Sequence, residues 1–115
     1  MNPIEKALFQ EETSIAEPAF CIRTNTRIDA GRWWRRTPVW LCIAGDGIVM
    51  LAVARRRYFE QIAIAGCHAS RYNHATGELV LLPGEGLRLN HFSISPRDAL
   101  GILKFLNKPL TETKI

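Results

Sequence analysis

The residues of this 115-residue chain best suited to chemistry are its arginines, its thiols and its imidazoles. Arg55, Arg56 and Arg57 stand in a row, and Arg32, Arg35 and Arg36 cluster earlier in the chain around Trp33 and Trp34. A guanidinium is a rigid fork of N–H donors that matches phosphate and carboxylate oxygens two at a time, so a convergence of these six would make an anion-binding rim. The plainer reading of the same residues is solvated turn charge, with some arginines stacked on Trp33 or Trp34. Lys and Arg number 15 against 11 Asp and Glu, a formal charge of +4. That excess suits an anionic partner and is too small to indicate nucleic acid by itself.

The remaining reactive groups carry weaker signals. Cys67-His68, His74 and His91 have the right ligand types for zinc, but their spacing fits no compact zinc motif, and adjacent residues on a strand point to opposite faces. No metal and no cofactor are expected. Cys21, Cys42 and Cys67 are odd in number, widely spaced and set among apolar residues, which reads as reduced core thiols in a reducing compartment. Residues 1–6 lack the basic and apolar pattern of a secretory leader, so a cytoplasmic location is expected. Gly84-x-Gly86 precedes a strand-like segment rather than a helix and fails as a nucleotide loop. Nothing here assigns a catalytic residue, and the chain is not expected to be an enzyme.

The elements that would hold these residues follow from periodicity. Ser95-Pro96-Arg97-Asp98 opens a helix over 95–107, with Ser as cap, Pro at the first position and Asp in the first turn. Ala99, Ile102, Leu103 and Leu106 form its apolar stripe, widened by Leu100 and Phe105. Asn2-Pro3-Ile4-Glu5 repeats the start signal and predicts a short helix over 3–12, with Ile4, Ala7 and Leu8 as its buried side. Between the two helices the period falls to two. Strands are expected at 20–28, 32–44, 48–53, 58–64, 67–73, 78–82 and 87–94, with turns at Asp29-Ala30-Gly31, Gly45-Asp46-Gly47, Arg55-Arg56-Arg57, His74-Ala75-Thr76-Gly77 and Pro83-Gly84-Glu85-Gly86. Pro38 marks an edge or a bulge, and the parity slip between Leu89 and Phe92 suggests another bulge. The apolar run 39–54 is too short to span a bilayer as a helix, and its centre, Gly45-Asp46-Gly47, reads as a hairpin turn.

Seven antiparallel strands and a terminal helix favour two packed sheets or a partly open barrel, because an open seven-stranded sheet leaves two edges and a bare face. Four segments carry a family resemblance: the hairpin from Val39 to Leu51, Tyr58-Phe59-Glu60-Gln61-Ile62, Gly77-Glu78-Leu79-Val80-Leu81, and Ser95-Pro96-Arg97-Asp98-Ala99-Leu100. Over about residues 17–107 the chain resembles the bacterial pleckstrin-homology-like (PH-like) domains. The resemblance implies a seven-stranded, partly open barrel of two near-orthogonal antiparallel sheets over about 17–94. It also implies that the helix at 95–107 caps the barrel; length and composition make 1–115 a single domain with a frayed tail at 108–115. It further implies a non-catalytic binding or assembly module, since this family hosts such roles without shared catalytic residues.

Two partner expectations follow. In an up-and-down meander every second turn lies at one end, which brings the connection near Asp29 beside Arg55, Arg56 and Arg57. The alternative to a protein-binding or assembly module is therefore a binder of anionic lipid headgroups, or less readily nucleic acid, through Arg32, Arg35, Arg36, Arg55, Arg56 and Arg57. In eukaryotic pleckstrin-homology domains these two loops hold inositol phosphates. This chain has Arg55-x-Arg57 in the later loop, no Arg-x-Arg in the first, and Glu85 in the sixth connection. The second expectation is self-association through Trp34, Trp40 and Cys42, which share a face opposite Val39, Leu41 and Ile43. A strand apolar on both faces needs a cover on each, and the N-terminal helix or a second subunit would supply it.

Overall fold

Short apolar alternations separated by glycine-bearing turns build two antiparallel meanders, each followed or preceded by one helix. The computed structural model describes residues 1–29, 36–54 and 56–106, with Ile28, Asp29 and Arg36 placed by their backbone. In chain order the elements are α1 (Pro3–Thr13), β1 (Phe20–Asp29), β2 (Arg36–Ala44), β3 (Gly47–Val53), β4 (Arg57–Ala63), a 3₁₀ turn (Ile64–Cys67), β5 (Arg71–Asn73), β6 (Glu78–Val80), β7 (His91–Ser93) and α2 (Pro96–Leu106). The first sheet runs β1-β2-β3-β4 and the second β5-β6-β7. The strand count and the mainly β class match expectation; the described strands form two separate sheets rather than a closed barrel. The chain divides into two compact units, Met1–Gln61 and Ile62–Ile115.

In the first unit, the β2–β3 hairpin closes through Gly45-Asp46, with Ala44 opposite Gly47. Gly45 has φ +59, the positive angle that a II′ hairpin turn requires at its first central residue. The apolar run weighed as a membrane span is therefore this hairpin, and no described helix is long and apolar enough to cross a membrane. Every residue of β3 from Gly47 to Ala52 is buried. On one face Leu41 pairs with Met50 and Ile43 with Ile48; on the other Cys42 pairs with Val49 and Trp40 with Leu51. The bulge expected near Pro38 lies across from it in β1, where the register slips between Arg23 and Arg27 and the Thr24 hydroxyl donates to the Val39 carbonyl at 2.7 Å.

α1 supplies the cover for the Trp40 and Cys42 face. Asn2 and Glu5 form a reciprocal cap: the Glu5 N–H donates to Asn2 Oδ1 and the Asn2 N–H to Glu5 Oε1, each at 2.8 Å. Leu8 and Phe9 pack with Cys42, Ala44, Val49 and Leu51 in one buried cluster, flanked by Trp40 and Cys21. The buried side of α1 is thus Glu5, Leu8 and Phe9, not Ile4, Ala7 and Leu8; Ile4 is 60% exposed. The helix is rotated by about one residue from the expected phase because a carboxylate, Glu5, belongs to the inner face.

In the second unit Leu79 stands between Tyr72 and Phe92 in the three-stranded sheet. Its strands are shorter than expected. The break expected at Ala65-Gly66 is a 3₁₀ turn over 64–67 that also takes Ile64 and Cys67 out of the flanking strands, and 81–90 form a loop before β7. Gly84 has φ +58, and a Cβ there would lie 2.5 Å from the Leu81 carbonyl oxygen, so the loop turns where only glycine fits. The parity slip at Leu89 is the entry of this loop into β7, with the Leu81 N–H already donating to the Asn90 carbonyl at 2.7 Å.

α2 begins as expected, the Asp98 N–H donating to Ser95 Oγ at 3.2 Å. It lies against the 3₁₀ turn, with Ala99, Ile102 and Leu106 buried. Leu103, expected among the buried residues, is only half-buried, and Leu100 is 65% exposed. The tail 108–115 lies outside the described residues.

Candidate functional site

Two groups of side chains in the first unit have geometry worth chemistry. The first is the arginine set. The order β1-β2-β3-β4 with antiparallel neighbours puts the β1–β2 and β3–β4 connections at one end of the sheet. Arg36 begins β2 opposite Asp29, and its side chain lies outside the described residues, as do Arg32, Arg35 and Arg55. Arg56 and Arg57 are both exposed where the chain enters β4. Arg57 Nη1 lies 3.7 Å from Glu11 Oε2, with both side chains more than half exposed. Such a pair contributes little to stability and leaves the guanidinium open to exchange partners.

The second group is a thiol pair that the sequence reading treated as separate core cysteines. Cys21 and Cys42 are directly opposed on β1 and β2, and their sulfurs approach to 3.1 Å. Cys42 is fully buried and Cys21 half-buried. Cys21 opens on a cleft of about 160 Å³ that Lys6, Phe9, Glu17 and Pro18 also line. The contact between the two thiols splits their acidities: the hydrogen bond between them holds the Cys21 thiol below its ordinary value and, with burial, pushes Cys42 up. Cys67 is unlike them. It sits buried at the end of the 3₁₀ turn, where desolvation pushes its thiol up to about 11.

The face proposed for self-association is occupied within the chain. The Trp40 indole N–H donates to Glu5 Oε2 at 3.0 Å, and Cys42 lies beneath Leu8 and Phe9. Of the two covers that the sequence left open, α1 is the one in place there; Trp34 lies outside the described residues.

The imidazoles do not converge with a thiol. His68, His74 and His91 are each exposed, while Cys67, next to His68, is buried. His74 meets the edge of Tyr72, with ring centroids 5.0 Å apart. Among the described residues no group of three or more His, Cys, Asp or Glu is arranged to hold a metal ion. In the second unit Arg71, Asn73, His74 and Glu78 line a shallow cleft of about 510 Å³ over the β5–β6 hairpin.

The thiol pair was hidden by register. A tight turn centred on Ala30 would set Cys21 opposite Val39, whose side chain is on the other face from Cys42. The wider connection between Asp29 and Arg36, together with the bulge in β1, moves Cys42 into that place. The one sequence signal was the presence of a cysteine on each of two consecutive predicted strands.

Comparison with protein-family models, with curated proteins and with solved structures returns no match for this chain.

Proposed function

We propose that this chain is a non-catalytic binding or assembly module with the PH-like plan of elements. The observation that supports this reading is the order of its parts: a four-stranded meander, a three-stranded meander, then an amphipathic helix opened by Ser95 and Pro96. Under this reading the chain works in the cytoplasm, where Cys21, Cys42 and Cys67 persist as free thiols.

A second reading is favoured by one specific feature, the exposure of Arg56 and Arg57 at the sheet end shared with the β1–β2 connection. This reading assigns Arg32, Arg35, Arg36, Arg55, Arg56 and Arg57 to binding anionic lipid headgroups, with nucleic acid the lesser candidate; of the six, only the side chains of Arg56 and Arg57 are among the described residues. Co-sedimentation with acidic liposomes tests it. Wild-type protein should pellet at low salt and remain in the supernatant at high salt, because phosphate contacts are screened. The Arg56→Glu, Arg57→Glu double variant should lose binding with a nearly unchanged melting temperature, since exposed turn charges contribute little to folding. A wild-type protein that stays soluble at low salt removes the lipid reading and leaves a protein partner. Binding unchanged in the double variant moves the site elsewhere.

A further inference from the structure

From the opposed sulfurs of β1 and β2 we infer that Cys21 and Cys42 are a reversible redox site, in which a small hydroperoxide oxidises Cys21 and Cys42 closes a cross-strand disulfide. The geometry needed for the bond is already present. Directly opposed residues of an antiparallel pair have Cα atoms about 4.5–5.5 Å apart, within the roughly 4.4–6.8 Å that disulfides span. The sulfurs, 3.1 Å apart on one face, need to close by only about 1 Å to reach bonding distance. No strand has to shift.

Access divides the labour between the two residues. Cys21 borders the cleft of about 160 Å³, whereas Cys42 has no exposed surface. A peroxide is of the order of a water molecule, about 30 Å³ in the liquid, and so fits the cleft of about 160 Å³ beside Cys21. The first oxidation therefore falls on Cys21. Its acidity is also suited, because the hydrogen-bonded contact with Cys42 holds the Cys21 thiol below its ordinary value, and the thiolate is the reacting form.

The step balances as follows. The Cys21 thiolate attacks one peroxide oxygen; an S–O bond forms, the O–O bond breaks, and the departing alkoxide or hydroxide takes up a proton. Cys21 is then a sulfenic acid. The Cys42 sulfur attacks the Cys21 sulfur, the S–S bond forms, the S–O bond breaks, and the hydroxide leaves with the Cys42 proton as water. Two thiols and one hydroperoxide give one disulfide, one alcohol or water, and one further water. A dithiol reductant reverses the change by two thiol–disulfide exchanges.

Reduced, folded protein treated with a slight excess of hydrogen peroxide, then alkylated and mapped by mass spectrometry, tests this. Two of the three thiols should be lost, with an intramolecular Cys21–Cys42 link, Cys67 intact, and full recovery on adding dithiothreitol. The Cys42→Ser chain should stop at a sulfenic acid on Cys21 that dimedone captures. The inference is overturned if native wild-type protein keeps all three thiols, if the link involves Cys67 or joins two chains, or if Cys21 goes on to sulfinic acid without forming a disulfide. These wild-type measurements decide the matter even if the serine variant does not fold.

Discussion

Glu5 is the residue whose role departs most from its type. It is 6% exposed, and its two carboxylate oxygens accept from the Asn2 backbone and from the Trp40 indole. One side chain thereby caps α1 and fixes the helix to β2. Glu5→Ala leaves both donors without their acceptor and should cost about 1.5–3 kcal/mol in urea unfolding, the range for hydrogen bonds to a charged group. Glu5→Gln keeps one amide oxygen as acceptor and should cost less. Equal stability of all three proteins would show that the Trp40 contact contributes nothing. The capping half of this role was legible, since Asn2 and Glu5 stand at capping-box spacing. The Trp40 half was not, because a charged residue is assigned to the outer face until its partner is known.

At the scale of elements, α2 shows how a well-marked helix can still be misread on its flank. Its start, its length and three of its core residues follow from capping and period, but which flank is covered depends on the neighbour. Ala99, Ile102 and Leu106 are buried, whereas Leu103 is half-buried. Ile102→Ala should therefore cost about 2–5 kcal/mol. Leu103→Ala should cost nearer 1 kcal/mol, in proportion to the apolar surface it keeps from water. Chemical denaturation of the two variants side by side checks the ranking, and a Leu103→Ala loss as large as that of Ile102→Ala would contradict this packing. The break between β4 and the next strand was legible at Ala65-Gly66, but the turn takes in Ile64 and Cys67 as well, the two residues read as the ends of the flanking strands because Ile62 and Ile64 continue the alternation of β4.

For the whole molecule the question is what α1 prevents. Trp40, Cys42, Val49 and Leu51 form an apolar face, and Leu8 and Phe9 cover it. Leu8→Asp places a carboxylate in that cluster and should undock the helix. Light scattering over a range of concentrations should then show association of the variant, and a wild-type mass independent of this face. If wild-type protein also associates, the contact uses another surface, and Trp40 fluorescence unchanged by dilution would identify it as remote from α1. Docking a helix on this face also removes an aggregation-prone surface, for an apolar sheet face that is left open recruits other chains.

What the sequence by itself determined were the quantities that depend on neighbours along the chain. The two helix starts, the hairpin at Gly45-Asp46, the number of strands and their antiparallel order all follow from capping residues, glycine positions and a period of two or 3.6. What only the tertiary structure decided were the quantities set by partners distant in sequence. The register of β1 on β2 depends on a bulge and on the length of a connection, and it alone brings Cys21 to Cys42. The phase of α1 depends on Trp40, 35 residues away. Period and capping constrain local dihedrals, whereas register and phase are settled by which long-range contacts bury most surface while leaving no polar group unpaired.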